Sequence, residues 1–248
     1  MMAQQLWMSI DVPHPQRNRL IAGKAALMAA LQPEQRVFLP KTQIPTGGEW
    51  ENKICQIVSG WAVRRRHSAD GHSQITSVLL PGDLFGISEL FSGPSLDSIE
   101  TRGTVMIRSI GYTNVLTLAA RDADVAMWLL YYVNWQRSQL ENRLTLFARG
   151  SALEKVSVLL LDLHRRLFRA RSPSKEPVRI PLTQQDLADY SGLALEYVNR
   201  QLAVLQKRGA VNVHYGALEI VDPGVLVKSA PVLAELGVDD LDGIETAI

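Results

Sequence analysis

Residues 122–149 contain neither glycine nor proline, and Val125, Leu129, Tyr132, Gln136, Leu140, Arg143 and Phe147 recur there at spacings of three and four. Such a run predicts one continuous helix. At about 1.5 Å per residue it extends about 40 Å, too far for a single small domain to cover. Trp128 and Trp135 widen the apolar stripe on the neighbouring face. The surplus apolar surface fits burial against a second chain, with Leu129, Tyr132 and Leu140 in the seam, or else a helix buried within its own chain.

The segments on either side of this rod differ in kind. From about residue 36 to 115, short alternating runs end at Ser59-Gly60, Asp70-Gly71 and Pro81-Gly82-Asp83, a turn about every ten residues. That rhythm predicts an all-β sandwich or roll. Arg64-Arg65-Arg66, its only basic run, reads as an exposed strand end. Cys55, the one cysteine of the 248 residues, sits in an alternating strand and reads as a small buried residue. A single thiol excludes an intrachain disulfide and any four-cysteine zinc or iron-sulfur site.

After the rod, Gly150 is placed to end the helix in a left-handed cap, and Ser151 and Glu154 form a capping box for another. Val156, Leu159, Leu160, Leu163 and Leu167 give that helix its buried face, and His164, Arg165, Arg166, Arg169 and Arg171 make its outer end basic. Residues 172–177 read as a loop and 178–180 as a short strand.

Residues 180–211 then carry two short amphipathic patterns joined at Gly192, the layout of a helix-turn-helix. Thr183 caps the first helix, with Asp186 returning the bond to the cap amide. Leu187, Ala188, Val198, Leu202 and Leu205 pack across the turn and leave Glu196, Asn199 and Arg200 pointing outward. Such a face suits a major groove, where Arg bonds guanine in bidentate fashion and Glu accepts from cytosine. Taken alone, the pattern equally fits a helical hairpin with a solvated charged face. Beyond it, 211–213 and 218–221 flank His214-Tyr215-Gly216-Ala217 in the form of a two-stranded wing.

The formal net charge of +1 divides into +3 for residues 1–149, +3 for 150–228 and −5 for the tail 229–248. DNA binding would therefore rest on local placement rather than on overall basicity. No basic segment followed by an apolar run opens the chain, and no stretch reaches about 18 consecutive apolar residues. Both point to the cytoplasm.

In order and spacing, these pieces resemble the CRP/FNR family of bacterial transcription regulators over about residues 30–225. The resemblance rests on Ser59-Gly60-Trp61-Ala62, Asp70-Gly71-His72-Ser73-Gln74-Ile75 and Leu80-Pro81-Gly82-Asp83-Leu84-Phe85-Gly86 in the front half. In the rear half it rests on Leu153-Glu154-Lys155-Val156, on residues 182–188 and on Glu196-Tyr197-Val198-Asn199-Arg200-Gln201-Leu202. It implies an α+β chain. A β-roll of the cyclic-nucleotide-binding type with an N-terminal helix would occupy 1–120 and a dimerisation helix 121–149. A winged helix-turn-helix would come next over 150–226, then an acidic tail over 227–248.

The resemblance further implies a non-enzymatic homodimer that binds palindromic double-stranded DNA with TTGA-like half-sites and acts on RNA polymerase. Glu196, Asn199 and Arg200 match base-reading positions. Gln184 and Tyr197 match backbone-contacting ones, with Tyr197 in place of the usual threonine or serine, and His214 and Tyr215 are wing candidates for the same task.

The departures concern the ligand. Where cyclic-AMP receptors carry a phosphate-binding glutamate and arginine, this chain has Ile87 and Asp97, and a carboxylate repels a phosphate. The expectation is a regulator that needs no cAMP. The cysteines of an FNR-type iron-sulfur cluster are missing. His67 and His72, the candidates for haem, read as solvated hairpin residues. Nor do they form the His-x-His pair with a later glutamate and histidine that a cupin metal site requires. The competing class is a small-molecule or haem sensor whose C-terminal half makes protein contacts instead of DNA contacts.

Overall fold

The computed structural model describes residues 14–31, 35–45, 50–67, 73–93, 95, 97–170, 178–214 and 217–232. Helix α1 (His14–Ala30) leads into strands β1 (Arg36–Phe38), β2 (Gln43–Ile44), β3 (Lys53–Ser59), β4 (Ala62–His67), β5 (Ser73–Leu79) and β6 (Leu84–Phe85). The short α2 (Glu89–Ser92), then β7 (Asp97–Thr101), β8 (Val105–Gly111) and α3 (Tyr112–Arg121) complete the front half. The strands form two antiparallel four-stranded sheets, β1-β8-β3-β6 and β2-β7-β4-β5. Inward-facing Ile57, Ala62, Ile99, Val105 and Ile107 fill the space between them. Cys55 lies in the same layer, and burial pushes its thiol up to about 12, so it is an inert packing group.

The rod is α4 (Ala123–Arg149), capped by Asp122, whose side chain accepts from the Asp124 amide at 2.9 Å. Its first turns are covered by the chain itself. Val125 and Trp128 join Leu20 and Leu27 of α1, and Leu31 just after it, in one buried cluster. Trp128 stacks on Tyr132 at 5.2 Å between ring centroids, and the Tyr132 hydroxyl accepts from the Leu84 amide at 2.9 Å. Two of the expected seam residues are therefore turned inward: Tyr132 reaches into its own β-roll, and half-buried Leu129 packs on the same cluster. The uncovered residues are Leu130, Val133, Leu140 and Leu144. With Arg137 they are spaced three, four, three and four apart, a heptad-spaced exposed stripe rotated from the face the sequence suggested.

Gly150 ends α4 in extended conformation (φ −70°, ψ 138°), not in the left-handed cap expected, while its amide still bonds Leu146 O at 2.8 Å. A side chain there would collide with Leu146 O, at 2.7 Å from the position of a Cβ. The requirement is close approach, because the chain passes straight into α5 (Ala152–Ala170). At that entry the Ser151 amide donates to Glu154 at 2.9 Å, forming the expected box.

The rear half continues with β9 (Val178–Ile180), α6 (Gln184–Ser191), α7 (Leu195–Lys207), β10 (Val211–His214), β11 (Ala217–Ile220) and α8 (Pro223–Lys228). The wing has three strands, not two, since β9 pairs with β11. Val63, Ile75 and Val78 of the front half and Leu160, Leu163, Tyr190, Val198 and Leu202 of the rear half belong to one buried cluster. The two halves thus share a core.

Candidate nucleic-acid interface

The helix-turn-helix forms as its local chemistry dictates. The Thr183 hydroxyl accepts from the Asp186 amide at 3.0 Å, and the Thr183 amide donates to the Asp186 carboxylate at 3.1 Å, so α6 starts at a complete capping box. Gly192 ends it at φ 66°, a left-handed conformation that glycine adopts without steric cost. Leu187, Ala188, Val198, Leu202 and Leu205 are buried, which fixes the roll of α7 and turns Glu196, Tyr197, Asn199 and Arg200 to solvent. The Arg200 guanidinium carbon lies 5.2 Å from the centre of the Tyr197 ring. Gln184 is exposed at the start of α6, and exposed His214 ends β10 with its Nε2 3.8 Å from Glu219. Tyr215 and His72 lie outside the described residues, while His67 is exposed at the end of β4 with a ring nitrogen 3.2 Å from Ser98 Oγ.

Sequence reasoning missed how this unit is held. The Arg65 side chain is 12% exposed, not a solvated strand end, and its guanidinium pairs with Asp189 and, at 3.2 Å, with Asp186 of α6. Arg102 adds a bidentate contact to Asp186 at 2.7 and 3.0 Å. Nearby, Gln74 donates to the Asp189 carbonyl, and Arg143 of α4 donates to the Tyr190 hydroxyl. The capping carboxylate of the helix-turn-helix is therefore also the anchor of that unit to the β-roll. Burial alone would push the Asp186 carboxyl up, but Arg102 and the Thr183 amide outweigh it and hold the group below its ordinary 3.8. Partners 84 to 124 residues apart leave no local spacing signal. The clue available was three consecutive arginines in a strand, whose alternation must send one of them to the opposite face.

The flanking residues Arg64 and Arg66 face a cavity of about 340 Å³ between the β-roll, α4 and α5. Arg143 and Arg166 also line it, and so do Asp83, Asp97 and Asp162. These charges are largely paired within the chain: Arg66 with Asp97 at 2.6 Å, Arg166 with Asp83. Asp97 is thus held by a cation of its own sheet. Ile87 is buried in the cluster that α1 joins and is not among the residues lining this cavity. Among the described residues, no group of three or more His, Cys, Asp or Glu side chains could hold a metal ion, and no helix is long and apolar enough to cross a membrane.

Comparison with known proteins agrees with both halves of this architecture. Residues 35–122 match the family model of the cyclic nucleotide-binding domain, and residues 154–229 that of the Crp-like helix-turn-helix domain. The chain is similar to the nitrogen fixation regulation protein FixK of Azorhizobium caulinodans, with 30% identity over 77% of this chain and 76% of that protein. It is similar at 26% identity to the anaerobic regulatory protein of Haemophilus influenzae, over 79% and 76% of the two chains. Among solved structures, FixK2 from Bradyrhizobium japonicum aligns over 79% of this chain and 96% of its own, with 25% identity and a TM-score of 0.67. A CRP/FNR regulator of Thermus thermophilus, covering 79% of this chain and 98% of its own at 18% identity and a TM-score of 0.61, shares the fold. From its β-roll to its helix-turn-helix, this chain belongs to the CRP/FNR family of transcription regulators.

Proposed function

We propose that the chain regulates transcription as a homodimer that reads a palindromic DNA site through α7 and needs no cyclic nucleotide to do so. The observation that carries this reading is the outward face of α7, where Glu196, Asn199 and Arg200 stand free of the core. A helix with that face suits a major groove, Arg200 reading guanine and Glu196 the cytosine of the opposite strand. Exposed Gln184 supports a phosphate contact from the start of α6. The uncovered seam of Leu130, Val133, Leu140 and Leu144 supports a two-fold pairing of α4 with a second copy. Two reading helices so related would address half-sites one helical turn apart, about 34 Å, of the TTGA type. The partners are then double-stranded DNA, a second copy and the RNA polymerase whose access to the promoter is changed.

Independence from cAMP is supported by Ile87, which is packed away, and Asp97, already paired with Arg66. The test is selection of binding sites from randomised duplexes by the purified protein with no nucleotide added. An enriched palindrome is expected, and cAMP titrated in a calorimeter should give no saturable heat. A pool that converges on no palindrome would overturn the DNA-reading assignment, and micromolar cAMP binding would overturn the independence.

A further inference from the structure

Tyr197 is the large aromatic side chain on the reading face of α7, 51% exposed, and the core of the helix-turn-helix makes no use of it. It stands three residues before Arg200, a spacing that puts both side chains on one strip of the helix. The Arg200 guanidinium sits over its ring at 5.2 Å. Glu196, one turn earlier, is the other group that could have taken the guanidinium, and among the described residues the two form no ion pair.

The choice of partner matters chemically. A carboxylate engaged by Arg200 would occupy the donors that a guanine edge needs. An aromatic face attracts the guanidinium without accepting its N–H groups as a carboxylate does, so those donors remain available to a base. Stacking also removes part of the rotameric freedom that a long, exposed side chain otherwise surrenders on binding. A threonine or serine at this position has no face to offer.

We propose that Tyr197 is a positioning residue for sequence readout: its ring holds the Arg200 guanidinium in the plane required by guanine, and this role, not a hydroxyl contact to the DNA backbone, explains the tyrosine here. The proposal rests on Arg200 reading a base, and the experiment separates the two claims.

The full-length protein is compared with Tyr197→Phe, Tyr197→Thr, Arg200→Ala and the Tyr197→Thr/Arg200→Ala double variant. Each is titrated at one salt concentration against the duplex that the wild-type protein selects and against a random duplex. Arg200→Ala is expected to lower affinity for the selected duplex by about five- to hundredfold per half-site, with a far smaller effect on random DNA. Tyr197→Phe should stay within about twofold of wild type, because the ring is kept. Tyr197→Thr should lose about two- to fivefold per half-site on the selected duplex alone, a cation–π interaction at an exposed site, and nothing further once Arg200 is alanine. If Tyr197→Phe loses what Tyr197→Thr retains, the hydroxyl is the working group and the proposal is overturned. Equal losses on both duplexes for Tyr197→Thr overturn it too, since they mark a phosphate contact. An Arg200→Ala variant with an unchanged ratio of selected to random affinity instead removes the base-reading assignment itself.

Discussion

Asp186 serves two structures at once, closing the capping box of α6 and accepting from Arg65 and Arg102. Its side chain is only 5% exposed, so the two roles can be separated by substitution. Asp186→Asn keeps a competent cap but leaves two arginines facing a neutral amide. The expected loss is about 3 kcal/mol or more, the scale for removing one partner of a buried ion pair, read from urea unfolding. Because the folded carboxyl sits below its ordinary 3.8, its contribution is complete above that value and fades as pH falls below it. The gap between wild type and Asp186→Asn should therefore close in acid below about pH 4. A gap that persisted unchanged at about pH 2.5, well into that acid range, would show that the charge is not its source.

Helices with strong local signals were legible in the sequence, and their mutual facing was not. The capping boxes at Thr183 and Ser151, and the buried face of α7, depend on residues within one or two turns of each other. The roll of α4 depends on what lies beside it, and Trp128 and Tyr132, whose spacing pointed to a partner chain, are covered by α1 and the β-roll. Likewise the outward residues of α7 could be named from spacing, but the anchoring of α6 by Arg65 and Arg102 could not. The rotated seam gives a direct test at this scale. Leu130→Glu with Leu140→Glu would place four carboxylates in the apolar contact of a dimer, at a cost of several kcal/mol, and should yield a folded monomer. Leu129→Glu would instead strain the intrachain cluster and lower thermal stability. Sedimentation that still shows a tight dimer for the double variant would place the interface elsewhere.

For the molecule as a whole, the ionic contacts from the β-roll to α6, together with the apolar core the two halves share, set where the reading helix stands relative to the rod. They leave the outer face of α7 open to solvent. Arg65→Ala with Arg102→Ala should free that orientation. Affinity for a palindrome, which requires two units in fixed relation, is expected to fall at least about fivefold, while a single half-site duplex is bound as before. Fluorescence polarisation on the two duplexes decides it, and a rise in palindrome affinity would mean that the contacts restrain binding. A single strand joins the cavity to this anchor. Arg64 and Arg66 of β4 face the cavity, and Arg65 between them grips α6. A backbone shared by both sets of side chains cannot move for one without moving for the other. An occupant of the cavity that displaced β4 would carry Arg65 with it, and any change in DNA affinity that followed would, by thermodynamic reciprocity, be matched by an equal change in the affinity for that occupant.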